Sequence, residues 1–189
     1  MKLAPIIPTR RQEPFEDPEW GCDLKLDGFR GLADTINGRL LSKNLNPLKR
    51  YRQLLDALPL DCVFDGEVCA LDQDGRPDFN ALLFRRKEPV YIAFDLLFYE
   101  REDIRPLPLK ERRAILDQVA GRYGIQKSEI FVGCARKLYA TTCDMDLEGI
   151  VLKKLADPYD AERTSWWKVL NAGYSQKIDR AELFKWRAG

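Results

Sequence analysis

Lys25 lies in the run Asp23-Leu24-Lys25-Leu26-Asp27-Gly28-Phe29-Arg30, whose residue types can support covalent chemistry on an amine. In an extended strand side chains alternate, so Cys22, Leu24 and Leu26 are expected to face a core while Asp23, Lys25 and Asp27 share the opposite, polar face. An ammonium then sits between two carboxylates. Gly28 allows a tight turn or the close approach of a ligand, and Arg30 adds a permanent positive charge. The same stretch also describes a half-buried edge strand with solvated charges, and taken alone it does not choose between the two.

The chain of 189 residues contains no histidine. Ser-His-Asp and Cys-His nucleophile pairs, imidazole acid–base chemistry and histidine metal sites are therefore excluded together. Catalysis has to rest on Lys, Arg, carboxylates, hydroxyls, thiols and a hard metal. Apolar residues make up 45% and charged residues 32%, the balance of an ordinary globular protein. A net charge of +1 denies the chain the overall field of a dedicated nucleic-acid binder, although Lys49–Arg52, Arg85–Lys87 and Lys110–Arg113 are local basic patches. Five cysteines without C-x-x-C spacing read as small buried hydrophobes in a reducing compartment. With no apolar run long enough to span a membrane, and prolines too early for a signal peptide, a cytoplasmic location is expected.

The elements that must hold Lys25 are legible from pattern. Residues 1–18, with four of the eleven prolines, read as an extended arm. A strand from Trp20 breaks near Gly28 and returns through Leu32, and Asn37-Gly38 suggests the next hairpin. Leu48, Tyr51, Leu54, Leu55 and Leu58 recur at helical spacing from Asn46 until Pro59. Cys62–Leu71 is a strand closed by Asp72-Gln73-Asp74-Gly75, and Phe79–Phe84 is a short helix. The nearly continuous apolar run Val90–Tyr99 fits a strand buried on both faces. A helix over Leu109–Val119 follows, then strands near Ile130–Val132, over Asp146–Lys154 and over Arg163–Leu170. The expected class is a single α+β domain over 1–189, antiparallel sheets flanked by helices.

In order along the chain, five segments resemble the covalent nucleotidyltransferase superfamily of ATP-dependent DNA ligases, RNA ligases and mRNA capping enzymes. Lys25–Arg30 matches K-x-D-G-x-R, and Asp65-Gly66-Glu67 matches D-G-E. Ala93–Leu97 matches the aromatic segment that packs on the base, Glu148–Val151 matches E-G-I-V, and Trp166-Trp167-Lys168 matches the lysine motif near the domain end. Phe94–Leu97 and Asn171–Gln176 look most like bacterial ATP-dependent DNA ligases and the ligase domain of end-joining enzymes. The resemblance implies an ATP-grasp-like nucleotidyltransferase fold and an adenylation domain of the stand-alone bacterial form, without the OB-fold into which such ligases normally continue.

It also implies roles. Lys25 becomes the nucleophile that takes AMP from ATP, and a free lysine, with a pKa near 10.4, needs roughly 4 kcal/mol to present its neutral amine at pH 7. Glu67 and Glu148 are implied to hold Mg²⁺ or Mn²⁺ or the ribose, and Phe94 to stack on adenine. Lys153 and Lys168 are implied to contact phosphate oxygens, and Arg30 the ribose or an incoming 5′-phosphate. Three positions depart from the pattern. Asp23 stands where a Glu is usual, Lys43 where many relatives have Arg, and Leu170 where a second lysine is frequent. Asp23 and Lys43 remain candidate nucleotide contacts. The expected partners are nicked or end-joined duplex DNA and a DNA-binding protein in place of the OB-fold. Two other functions remain open, a catalytically weakened nick- or partner-binding module and an RNA ligase-type enzyme.

Overall fold

A computed structural model of the chain describes residues 3–163 and 166–176. In chain order its strands are β1 (Thr9–Arg11), β2 (Trp20–Leu24), β3 (Phe29–Asp34), β4 (Arg39–Leu41), β5 (Val63–Cys69), β6 (Val90–Tyr99), β7 (Glu102–Asp103), β8 (Phe131–Val132), β9 (Gly149–Lys154) and β10 (Trp166–Leu170). The helices are α1 (Phe79–Leu83), α2 (Leu109–Tyr123) and α3 (Ala135–Asp144), with a 3₁₀ helix over Lys49–Ala57. Two five-stranded sheets result, ordered β1-β10-β9-β2-β8 and β4-β3-β5-β6-β7.

The break at Lys25–Gly28 turns out to be a change of sheet. β2 pairs with β8 and β9, whereas β3 pairs with β4 and β5, so the chain does not return beside itself as expected. Gly28 is needed for the crossing, because a Cβ there would meet the Val68 carbonyl oxygen at 2.2 Å. Its crowding comes from the β5 backbone rather than from a ligand. The second sheet is antiparallel throughout, as expected, but β1 lies parallel to β10. The two are far apart in sequence, so no hairpin constrains their direction.

Alternation along these strands separates three cores. Leu32, Val63, Phe94, Leu97, Val151 and Trp166 meet between the sheets, joined by Leu3 and Ile6 of the arm. Phe64, Val68, Leu96 and Ala93 face outward onto Leu116 and Val119 of α2 and onto Tyr51 and Leu55 of the 3₁₀ helix. Cys22, Ile150, Leu152 and Val169 pack outward with Ala135 and Leu138 of α3. β6 is buried along nearly its whole length, as its apolar run predicts.

α3 was not expected, and two other helices differ from expectation. The segment read as a helix from Asn46 is a 3₁₀ helix, because Leu48 has no capping side chain and both ends close through i→i+3 bonds, Tyr51 N–H to Leu48 O and Leu58 N–H to Leu55 O. α2 runs four residues beyond Val119, to Tyr123, and stops on Gly124 at φ +69°, whose N–H donates to Ala120 O. Of the last expected strand, Thr164 and Ser165 lie outside the described residues. No helix among the described residues is long and apolar enough to cross a membrane.

Candidate active site

Between the edges of the two sheets lies a cavity of about 540 Å³. Lys25, Asp23, Arg30, Lys43, Glu67, Phe94, Lys153 and Lys168 all line it, although they come from segments spread over more than 140 residues. Glu148 reaches it through its contact with Lys25.

Lys25 follows the last residue of β2, and its N–H donates to Gly149 O at 2.9 Å. That bond is possible because Gly149 adopts φ +144°, a region L residues avoid, and a Cβ there would meet Val169 O at 2.1 Å. The backbone thereby sets Lys25 beside the neighbouring residue of the same turn. Lys25 Nζ lies 2.7 Å from Glu148 Oε2 with about a quarter of its side chain exposed. The contact is a close charge pair that lacks hydrogen-bond alignment, so the buried Oε2 has no hydrogen-bond partner.

Of the two flanking acids, Asp23 lines the cavity with Lys25 but is held by other partners, and Asp27 does not line it. Asp23 is buried, and its Oδ2 accepts from Lys153 Nζ at 2.6 Å and from Ser128 Oγ at 3.1 Å. Its Oδ1 is buried without a hydrogen-bond partner. Asp27 turns away and accepts from Tyr174 Oη at 2.7 Å. Strand alternation ceases at Leu24, so Asp27 departs from the cavity face that Asp23 and Lys25 share.

Lys153 is 2% exposed, packed 4.2 Å from the Trp166 ring centroid and 4.6 Å from that of Phe94. Desolvation pushes its amine below the usual lysine range despite the attraction of Asp23. Arg30 stacks 4.7 Å from the Phe94 centroid and donates Nε and Nη2 to the two oxygens of fully buried Asp65, each at 2.5 Å. Burial alone would lower the guanidinium, but Asp65 more than offsets this and holds it charged. Phe94 itself is 9% exposed and packs edge-on against Trp166 at 5.8 Å.

Glu67, opposite Arg30 on β5, is raised to about 8. Desolvation is the main cause, with Glu148 and Asp65 adding repulsion and Lys25 and Arg30 opposing it. Lys168 is lowered by desolvation and by the nearby cations Lys25, Lys43 and Arg10. The two glutamates thus stand close to the same amine, one with an unsatisfied oxygen and the other reluctant to ionise.

Several supporting residues were not anticipated. Tyr159 donates to Asp65 Oδ2 at 2.5 Å and accepts from Ile6 N–H, tying the arm to the Arg30 anchor. Arg112 of α2 is fully buried and donates to both oxygens of Asp95 at 2.9 and 2.8 Å. Arg113 donates to Phe94 O at 2.9 Å and to Ser128, so α2 holds both the ring and the Asp23 bridge. The only local signal was the Arg-Arg pair on an otherwise amphipathic helix.

The fold resembles that of mycobacterial DNA ligase D complexed with ATP and MES, with a TM-score of 0.77 at 24% identity, covering 89% of this chain and 60% of that one. In sequence the chain is 34% identical to the multifunctional non-homologous end joining protein LigD of Pseudomonas aeruginosa over 93% of its length, but covers only 23% of that protein. It is 29% identical to the SPbeta prophage-derived DNA ligase-like protein LigB of Bacillus subtilis, across 94% of this chain and 71% of that protein. The model of the ATP dependent DNA ligase domain matches residues 9–169, from the edge strand β1 to the end of the lysine motif, and the chain belongs to that family.

Proposed function

We propose that this chain takes AMP from ATP onto Lys25 and passes it to a 5′-phosphorylated DNA end for sealing. The observation that supports this reading most directly is the Lys25–Glu148 pair, an amine at the cavity wall 2.7 Å from an otherwise unsatisfied carboxylate oxygen. Before attack the ammonium must surrender a proton, and Glu148 Oε2 is the adjacent acceptor. The neutral amine then forms a P–N bond at the α-phosphorus while the bond to the bridging oxygen breaks and pyrophosphate leaves. Lys168 and Lys43 stand where charge on the phosphate oxygens develops, and their positive charge favours that state.

Phe94 offers a ring for the base, and Trp166 and Lys153 fix its orientation. Asp23 lines the cavity, and its buried Oδ1 has no hydrogen-bond partner. The exocyclic amine of adenine can donate to it, whereas guanine presents a carbonyl at that position, so the chain is assigned ATP. Glu67 and Glu148 suit Mg²⁺ or Mn²⁺, hard cations that accept one or two carboxylates and complete their coordination with phosphate and water. Such an ion would neutralise charge on the transferring phosphate. In the second step a 5′-phosphate oxygen attacks the same phosphorus and the P–N bond breaks, returning Lys25.

Intact-mass measurement after incubation with ATP and Mg²⁺ or Mn²⁺ tests the reading. One AMP on the wild-type chain, mapped to Lys25 and absent from Lys25→Ala, is the expected result. An unmodified wild-type chain would favour a binding module instead, for which the apolar Leu170 in the lysine motif is the specific argument.

A further inference from the structure

The edge strand of the first sheet carries a charge that the motifs do not account for. β1 lies beside β10 with Arg10 opposite Lys168 and Arg11 opposite Val169. Opposed residues of neighbouring strands share a face, and consecutive residues of one strand alternate. The two arginines therefore part. Arg11 places its guanidinium 4.7 Å from the Trp167 centroid and 4.8 Å from that of Phe15, on the side covered by α3. Arg10 takes the other side, with Lys168.

That side is the cavity wall. Across the sheet the rung runs from Arg10 to Lys168, then to Val151 opposite Lys168 and Asp23 opposite Val151, and the last three line the cavity. Pro8, two residues before Arg10, lines it as well. Arg10 is exposed and forms no ion pair with any carboxylate among the described residues. It is close enough to Lys168 to help depress that amine, together with Lys25 and Lys43. Four cations thus gather at one mouth with Glu148 as the acid that counters Lys168, a charge balance that an arriving anion relieves. Leu170, two residues beyond Lys168 on the same face, brings no charge.

We propose that Arg10 binds a phosphate oxyanion at the cavity mouth, supplying from the edge strand the second cation that Leu170 does not supply from β10. The inference rests on the nucleotide reading of the cavity and adds a contact to it. A guanidinium presents a planar fork to two phosphate oxygens, and from an exposed edge it reaches a group that arrives from solvent. Two phosphates meet that description, the pyrophosphate end of ATP and the 5′-phosphate of a DNA end.

Binding and turnover in the full chain test it. Calorimetric titration with pyrophosphate forms one arm, and titration with nicked duplex bearing a 5′-phosphate or a 5′-hydroxyl forms the other. Arg10→Ala should weaken pyrophosphate binding about tenfold, or remove about tenfold of the preference for the 5′-phosphate, and the arm that responds identifies the phosphate. Arg10→Lys should retain part of the effect, and Leu170→Lys added to Arg10→Ala should restore most of it, a rescue that a purely structural arginine does not permit. Arg10→Gln, polar and uncharged but shorter, decides the matter should the alanine variant lose its circular dichroism. Wild-type values in both arms for the uncharged variants overturn the proposal. Absence of AMP-Lys25 in the wild type defeats the catalytic reading instead, and the pyrophosphate arm, which needs no turnover, still judges Arg10.

Discussion

Charges on the two sides of the cavity are handled in opposite ways. Behind it, Asp65, Asp95 and Arg112 are completely buried, and each is matched with a partner in good geometry, Arg30 and Tyr159 for Asp65 and Arg112 for Asp95. At its mouth, Lys25 meets Glu148 out of alignment, and Lys168 stands among Lys25, Lys43 and Arg10. Matched buried pairs hold a shape because breaking one strands a charge in a medium that cannot solvate it. Mismatched, half-exposed charges are held less tightly, and their imbalance favours an incoming anion. Under the proposed function the contrast separates residues that would position from residues that would react, although both groups are Lys, Arg, Asp and Glu.

The comparison breaks most visibly at Arg112. Replacement by Ala leaves Asp95 unpaired and removes donors from Leu107 O and Asp157 O, and should cost about 3–5 kcal/mol of stability. Denaturant unfolding monitors the loss, and a variant as stable as wild type would show that α2 is not anchored through this pair. Lys168→Ala should do the reverse. Stability should stay within about 0.5 kcal/mol, while the single-turnover rate of Lys25 adenylation falls roughly a hundredfold. If unfolding and adenylation change together in either variant, the division between the two sides fails.

A subtler test uses pH. Glu67 is raised from the ordinary range to about 8, chiefly by desolvation. Between about 4.5 and 8 the unfolded chain therefore ionises this group while the folded chain does not, so the folded state binds more protons and stability falls as pH rises through that window. Glu67→Gln removes this component. Chemical denaturation without nucleotide or metal should show the wild type losing stability relative to Glu67→Gln up to about pH 8 and no further. Parallel stability curves would mean that the carboxyl is better solvated than its surroundings indicate.

Much of the cavity lining was legible in the sequence because its residues sit in short motifs. Lys25, Glu67, Phe94, Lys153 and Lys168 needed only their local words to be singled out, and one cavity collects them. The positioning side was not legible. Ser128 meets Asp23 across 105 positions and Tyr159 meets Asp65 across 94, and nothing local in either residue encodes such a pairing. Arg10, although at the cavity mouth, was equally illegible, since its place beside Lys168 follows from strand register alone. Among the elements, α3 escaped notice because Thr141, Thr142 and Cys143 are weak helix formers, and its helix is secured by packing Ala135 and Leu138 on the first sheet. The face alternation around Lys25 failed for a related reason. A period-two pattern carries no mark of the point at which a chain leaves one sheet for another.

That change of sheet has a mechanical corollary. Lys25 is pinned to Gly149 on the first sheet and is followed within four residues by β3 of the second. An adenylate attached there would hang from the join between two halves, with the amines of Lys168 and Lys153 on one side and the Phe94 ring and Glu67 on the other. It would become a tether across the seam, present at an effective concentration that dilution cannot reduce. Free ATP would tighten the two halves only in proportion to its occupancy, whereas the proposed covalent adduct would keep them joined after the nucleotide in solution is gone.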